Sequence, residues 1–316
     1  MRILIVGAGA IGGYFGGRLF EAGRDVTFLV RPSRVAMLAQ HGLVVRSPRG
    51  NVTWPHPSFV ISEQLQTTFD AILLSCKAYD LPEAMEAMVS AVGPQTLIVP
   101  LLNGLRHLDV LATRFAKNHL LGGLCFISVD RDAQGSIIHY NNTDTLMFGE
   151  LDGSTSERVK PLAAALMDAG FDARFSTDIR QELWEKWVFI AAAAGMTCLM
   201  RSAVGDYVAA EGTGLAQRLI EECCAIAAHN GYPVRDAAVE RARTMLTAPG
   251  SLFMASMLRD VERDAPTEAE HLLGDLWTRR DPAALDERSV LYLAYAHLKS
   301  YEARRLRLQA GASAKV

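Results

Sequence analysis

The residues Gly7-Ala8-Gly9-Ala10-Ile11-Gly12 form a G-x-G-x-x-G run that directly follows an apolar stretch, Ile3–Val6, and opens a helix. Gly7 permits a tight turn, and Gly9 lets the backbone approach a pyrophosphate. Gly12 lets helix and strand pack closely, and the helix N-terminus faces the anion. Glycines are common, so the bare pattern says little; its place between strand and helix in a βαβ unit is what points to a dinucleotide. The end of the second strand then selects the cofactor. It reads Phe28-Leu29-Val30-Arg31-Pro32-Ser33-Arg34, with Arg31 where an NAD enzyme usually carries an acid for the ribose 2′-hydroxyl. A guanidinium pairs with a 2′-phosphate that a carboxylate would repel, so Arg31, with Arg34 one turn away, points to NADPH/NADP+. Two solvated surface arginines are the alternative reading.

Lys186 is the candidate proton donor. On a helix its face continues to Ile190, Ala193 and Ala194, and desolvation beside such a stripe disfavours the ammonium and brings proton donation into range. A surface ion pair with Glu182, at i,i+4 spacing, explains the same residue without chemistry. Lys77 and Asn103 stand just beyond the carboxyl ends of predicted parallel strands, where open α/β sheets bind ligands; Asn103-Gly104 is also an ordinary turn pair. Ser256 and Asp260 are four apart and share a helix face, so Ser256 could donate to a substrate carboxylate with Asp260 supporting the site. Glu268 lies in the first turn of a predicted helix. There the dipole favours an acid, and Thr267 with Glu270 has the spacing of a capping box, so a structural role accounts for it equally well. Trp184 and Trp187 read as core. The histidines form no H-x-x-x-H cluster and no metal is expected. His271 is the one that could reach the pocket, and His229 closes a helix before Asn230-Gly231.

The elements that must position these groups fall into two textures. Strands at Ile3–Val6, Val26–Val30, Ala71–Cys76 and Thr96–Val99 alternate with helices at Tyr14–Glu21, Ser33–His41 and Leu81–Val92, which implies a parallel sheet covered on both faces. Leu43–Val45 and Asn51–Trp54 look like a small ribbon. Leu120–Val129, Ser136–Tyr140, Thr145–Gly149 and Ala173–Phe175 are expected to extend the sheet with antiparallel members, with turns at Asp132–Gly135 and Asn141–Asp144. From about Ile179 only helices are expected, at Arg180–Met200, Gly212–His229, Arg235–Thr247, Ser251–Val261, Thr267–Arg279 and Ser289–Leu308, before a frayed tail at Gln309–Val316. The expected fold is a Rossmann-type α/β domain over 1–178, its parallel sheet carrying an antiparallel extension, and an all-α substrate and dimerisation domain over 179–316.

Composition bounds the function. The 316 residues fit two ordinary domains, 50% are hydrophobic, and a net charge of −3 gives no basic field for nucleic acid. The apolar stretch Trp187–Met200, at about 14 residues, falls short of a bilayer and reads as a core helix. The start runs directly into a strand and glycines with no signal-peptide cleavage site, which points to the cytoplasm. The cysteines number five, an odd count, with no C-x-x-C, and read as free thiols.

Over nearly its whole length the chain resembles the ketopantoate reductase (2-dehydropantoate 2-reductase) family. The likeness is carried by the glycine turn, Arg31, Cys76-Lys77-Ala78, Asn103-Gly104, Trp184-Glu185-Lys186-Trp187, Ser256-Met257-Leu258-Arg259-Asp260 and Thr267-Glu268. The turn is shared by many families, whereas the lysine, the S-M-L-x-D element and the T-E pair in this order are much more specific. The resemblance implies hydride transfer from NADPH to the C2 ketone of 2-dehydropantoate, giving pantoate for pantothenate and coenzyme A synthesis. It implies Lys186 as general acid, substrate contacts from Asn103, Ser256 and Glu268, and Lys77 beside cofactor and substrate. Asp260 joins the substrate set as support, and Asn103 also borders the cofactor. A homodimer is expected for such a fold.

Two departures bear on the substrate. Many members carry asparagines where this chain has Ile190 and Ala194, and Glu270-His271-Leu272-Leu273-Gly274 is not the common pattern. Donor, acceptor and hydride source remain, but the pocket is more apolar. A reductase of another small branched 2-keto acid therefore stands as the alternative. A non-catalytic NADPH-binding protein is a third reading, opposed by the retention of Lys186, Ser256 and Glu268.

Overall fold

Ile3, Leu4, Ile5 and Val6 are all apolar because the strand they form is covered on both faces: Ile3 and Ile5 enter one core cluster, Leu4 and Val6 the other. The same alternation holds in the neighbouring strand, where Ala71 and Leu73 face one way and Ile72 and Leu74 the other. The structure is a computed structural model describing residues 1–283 and 288–313. Its contacts divide the chain into two units, Met1–Leu102 with His107–Arg180, and Asn103–Arg106 with Gln181 onward.

In the first unit the chain runs β1 (Arg2–Val6), α1 (Ala10–Glu21), β2 (Asp25–Leu29), α2 (Pro32–His41), β3 (Leu43–Arg46), β4 (Val52–Trp54), β5 (Phe59–Val60), β6 (Phe69–Leu74), α3 (Leu81–Met88), β7 (Val92–Pro100), α4 (Arg106–Phe115), β8 (Gly122–Arg131), β9 (Ile137–Gly149), α5 (Val159–Leu166) and β10 (Asp172–Phe175). Strands β5-β2-β1-β6-β7 form an all-parallel Rossmann-type sheet, with Ile3 opposite Val26 on one side and Ala71 on the other. The strand order reverses between β1 and β6. The glycine turn after β1 and the Ser75–Lys77 segment after β6 therefore meet at the switch point, where such sheets bind ligands.

The expected extension is a second sheet. It has the order β10-β9-β3-β4, with β8 antiparallel to β9. It takes in the small ribbon of β3 and β4, and an isolated bridge joins Ile98 of the first sheet to Leu120 in the segment leading into β8. The two strands expected around a turn at Asn141–Asp144 are one, β9. Asn141, Asn142 and Thr143 are an exposed stretch of strand, Asp144 is buried, and the ladder takes up an irregularity between Ile127 and Val129. Sequence patterning also passed over β5, α4, α5 and α7.

Helix α1 lies between the sheets, and its glycines show how closely. A Cβ at Gly12 would overlap the Gly7 carbonyl and Ser75 Oγ, and one at Gly16 would overlap the Phe28 ring. On the other side, Gly13 faces Ile137 and Gly17 faces Val45, both in the second sheet.

The second unit contains α6 (Ile179–Met200, whose first two residues belong to the first unit), α7 (Val204–Ala209), α8 (Thr213–His229), α9 (Asp236–Leu246), α10 (Ser256–Glu262), a π-helical turn at Glu270–Gly274 running into α11 (Asp275–Thr278), and α12 (Val290–Ser313). Among the described residues no strand follows β10. Helix α12 continues past Leu308 into the expected tail, whose last residues, 314–316, lie outside the described ones. Helix α6 is long and apolar enough to cross a membrane, but 78% of its apolar window is buried within the protein, as in a core helix. Trp184 and Trp187 are core residues, and all five cysteines are free, with Cys76 and Cys224 half-buried.

Two contacts fix α6. The Trp187 indole N–H donates to the Leu272 carbonyl at 2.9 Å. Glu185, 8% exposed, accepts from Arg235 Nε at 2.6 Å, Arg235 Nη2 at 2.8 Å, the Arg235 backbone N–H and Gln181. Burial pushes the Glu185 carboxyl up, and these donors together reverse it and hold it below the ordinary value of 4.5.

Gly12→Ala is expected to cost about 2 kcal/mol or more, because the methyl meets backbone that cannot move aside; thermal melting checks it. Arg235→Ala should cost about 2 kcal/mol at neutral pH in urea unfolding, since it strips a buried carboxylate of its cation. Because the folded Glu185 value is depressed, its stabilisation is complete above 4.5 and is lost as pH falls through the folded value. The variant should therefore lose stability less steeply than the parent as the medium is acidified.

Candidate active site

At the end of β1 the backbone turns through Gly7 at φ +95°, in the left-handed region that glycine tolerates. Gly9 is the N-cap of α1, extended, and the Cβ it lacks would meet nothing within 4 Å. The first amides of a helix have no carbonyl one turn back. Here no side chain caps them and no acid sits in the first turn, so the amides at the start of α1 are open donors, while the Gly7 N–H is taken by the Leu29 carbonyl at 3.0 Å. Ser75 Oγ donates to the Val6 and Gly7 carbonyls, at 3.1 and 3.2 Å, and holds the turn against the end of β6. These residues fit a dinucleotide: the donors suit a pyrophosphate, and the space above Gly9 is clear. Ala8 is buried, whereas Ala10 and Ile11 are half-buried at the helix start.

Arg31 is the N-cap of α2, half-exposed, with Pro32 in the first turn. It does not stand alone: its Nη2 lies 2.8 Å from Asp80 Oδ1 and 2.6 Å from Glu83 Oε2, and Asp80 first, then Glu83, strengthen its hold on its proton. Arg34 turns elsewhere. Its guanidinium donates to the Gly135 carbonyl in the β8–β9 turn and lies against Met37, so it is no second partner at Arg31's position. Lys77 is half-buried and caps a short 3-10 turn, Ala78–Asp80, that leads into α3.

In the second unit several candidates share one neighbourhood. Lys186 is 6% exposed on α6, one residue before the tryptophan bonded to Leu272, so it is not a surface lysine. Farther along the helix Ala193 and Ala194 are buried and Ile190 half-buried. Leu272 belongs to the π-helical turn, an element that recurs at functional sites. The same turn carries His271, whose ring donates to the Asn103 carbonyl. Gly104, at φ +75°, is packed so closely that a Cβ would sit 3.3 Å from His271 Cδ2. Burial pushes the His271 imidazolium down against the field of Glu268, leaving the ring neutral near pH 7. Asn103, Glu268 and His271 are thus brought together, and Trp187 ties the turn that carries His271 to the Lys186 helix.

Ser256 is the exposed first residue of α10. Asp260, half-buried one turn on, is among the charges that, after burial, push Cys198 up to about 12. The capping box expected of Thr267 and Glu270 does not form. Thr267 donates through both its N–H and Oγ to Glu302, at 2.7 and 2.6 Å, and Glu270 accepts from Tyr295 and Lys299. Helix α12 supplies these closer partners. His229 ends α8 before Asn230, with Gly231 left-handed. The concavity along α9, lined by Asp236, Ala237, Val239, Glu240 and Arg243, contains none of the candidate residues.

Sequence reasoning missed Asp80 and Glu83. Their D-x-x-E spacing opens α3 and looks like ordinary capping, and nothing in a linear pattern shows the arginine roughly fifty positions earlier that they contact. The π-helical turn was also missed, because Glu270–Gly274 has the apolar texture of an α-helix.

The comparisons with known proteins agree with this arrangement. A family model described as Ketopantoate reductase PanE/ApbA matches residues 3–153, and one described as Ketopantoate reductase PanE/ApbA C terminal matches 178–281. An uncharacterised oxidoreductase of Bacillus subtilis, YkpB, is 38% identical over 304 residues, covering 96% of this chain and 99% of its own length. A 2-dehydropantoate 2-reductase of Mesorhizobium japonicum is 29% identical, covering 86% of this chain and 89% of its own. The crystal structure of a 2-dehydropantoate 2-reductase from Methylococcus capsulatus superposes with a TM-score of 0.84 at 31% identity, covering 96% of this chain and 98% of that one. With a Rossmann-type unit ahead of a helical one and both parts matched, this chain belongs to the ketopantoate reductase family of NAD(P)H-dependent oxidoreductases.

Proposed function

We propose that this chain reduces 2-dehydropantoate to pantoate with NADPH, in pantothenate and coenzyme A synthesis. The observation that carries the reading is Lys186, a lysine 6% exposed on a core helix at the position of the family's general acid. The bound cofactor supplies the hydride to C2 of the ketone. The protein's part is to hold the substrate and move a proton. The Lys186 ammonium donates to the ketone oxygen as negative charge develops there, so no free alkoxide forms. Asn103 and Glu268 bind the substrate's polar groups, and Ser256 donates to its carboxylate with Asp260 as support. Gly7 through Gly12 cradle the pyrophosphate, Arg31 meets the 2′-phosphate, and Lys77 and Asn103 border the nicotinamide end. The domain roles follow: 1–178 for the cofactor, 179–316 for substrate and dimer contacts. We expect a cytoplasmic homodimer.

A second reading is favoured by one feature. Ile190 and Ala194 replace family asparagines, and Ala194 is buried, so the pocket side of α6 suits a different branched or apolar 2-keto acid. Following NADPH absorbance with 2-dehydropantoate and a panel of 2-keto acids separates the two. A strong preference for 2-dehydropantoate supports the first, and comparable turnover of its analogues the second.

Lys186→Ala is expected to lower kcat by roughly 10²–10⁴-fold, the usual contribution of a positioned acid, with NADPH affinity nearly unchanged in fluorescence titration. Unaltered turnover would remove Lys186 from the mechanism.

A further inference from the structure

Helix α3 starts with two acids in the places where acids ordinarily serve the helix itself. Asp80 is its N-cap, and Glu83 is three residues on. An N-cap aspartate normally accepts from a first-turn amide, and a glutamate three residues later normally reaches back to the cap. No side-chain capping bond forms here. Both carboxylates turn to the Nη2 of Arg31, at 2.8 and 2.6 Å. Two surface acids give up their helix for one half-exposed guanidinium, and ion pairs at such exposure add little to stability. The arrangement calls for another explanation.

Arg31 stands at the position that distinguishes a ribose 2′-phosphate from a 2′-hydroxyl. With Asp80 and Glu83 against it, the local charge is one positive and two negative. A 2′-phosphate, carrying a charge of about −2, approaches a guanidinium already neutralised and two carboxylates that repel it. A 2′-hydroxyl finds carboxylate oxygens to accept its proton. We propose that Asp80 and Glu83 are cofactor-selectivity residues: by competing for Arg31 they narrow the preference for the 2′-phosphate, so that the protein takes NADH as well as NADPH. The attenuation is partial, because both contacts fall on Nη2 and a guanidinium has further donors on Nε and Nη1. This rests on the reading that a nicotinamide dinucleotide occupies the glycine turn with Arg31 at its adenosine ribose.

The test is direct binding of each dinucleotide, by fluorescence titration of the full chain without substrate. The parent is compared with Asp80→Asn, Glu83→Gln, the double variant and Arg31→Ala. In the parent, NADPH and NADH should bind within about tenfold of one another. The double variant should gain about tenfold for NADPH, a few-fold per carboxylate removed, with NADH affinity unchanged or lower. Arg31→Ala should lose NADPH affinity and keep NADH. Thermal melting confirms that the variants are folded. A double variant with an unchanged NADPH-to-NADH ratio overturns the selectivity role. Weaker NADPH binding in that variant overturns it too, since the acids would then be orienting Arg31 and not competing for it. A parent that binds neither dinucleotide fails the reading of the glycine turn, and the selectivity role with it.

Discussion

Helix α1 is pressed between two sheets, and at four points it meets them with no side chain of its own. Gly12 and Gly16 lie against the parallel sheet, and Gly13 and Gly17 against the other. A glycine in a helix interior costs roughly 0.5–1 kcal/mol relative to alanine, so four of them in one helix are a sizeable penalty. The gain is distance. Only a backbone surface lets α1 approach β1 closely enough to leave its first amides beside the switch point. The large residues it does carry, Tyr14, Phe15 and Leu19, fill the spaces beside those contacts. The phosphate cradle is thus the end of a longer glycine pattern, and the turn's geometry depends on packing two helical turns away.

The second unit solves a different problem, which is to hold a lysine inside. Lys186 has an ionised neighbour on one side and an indole on the other, and each is anchored to a different segment. Glu185 is bonded to Arg235 ahead of α9, and Trp187 to the carbonyl of Leu272. Fixing both neighbours sets the rotation of α6 about its axis, and with it the direction in which the lysine leaves the helix. The Leu272 contact also carries that constraint into the π-helical turn, where His271 holds the Asn103 carbonyl. Groups far apart in sequence are so aligned by two hydrogen bonds to main-chain carbonyls.

Much of this was legible in the residues. Two-sided burial made the parallel strands apolar throughout, and the glycine spacing marked the turn, so the Rossmann-type unit could be read directly. Elements whose reason lies elsewhere in the chain were not legible. β9 reads as two strands because its middle is exposed and polar, yet β8 pairs along both ends. Thr267 and Glu270 have the spacing of a cap and find closer partners on α12. Arg31 reads as a cation with Arg34 one turn away, and the acids that meet it lie beyond four intervening strands. Local pattern reports what a residue could do with its neighbours in sequence, and these departures arise where a distant group offers a better bond.

The apolar character of α6 also matters before the fold exists. The helices that pack on it, including α8 through Leu219 and α12 through Ala294, are made after it. At ribosomal rates of roughly 5–20 residues per second, α6 waits on the order of ten seconds for α12. For that interval the nascent chain displays a segment that satisfies the length and hydropathy of a membrane anchor. Glu185 and Lys186 lie toward its N-terminal end, where an ionised group costs less than the about 2.5–3.5 kcal/mol it costs at a helix centre on translocon scales. The burial that makes α6 a core helix therefore arrives only with the helices that follow it.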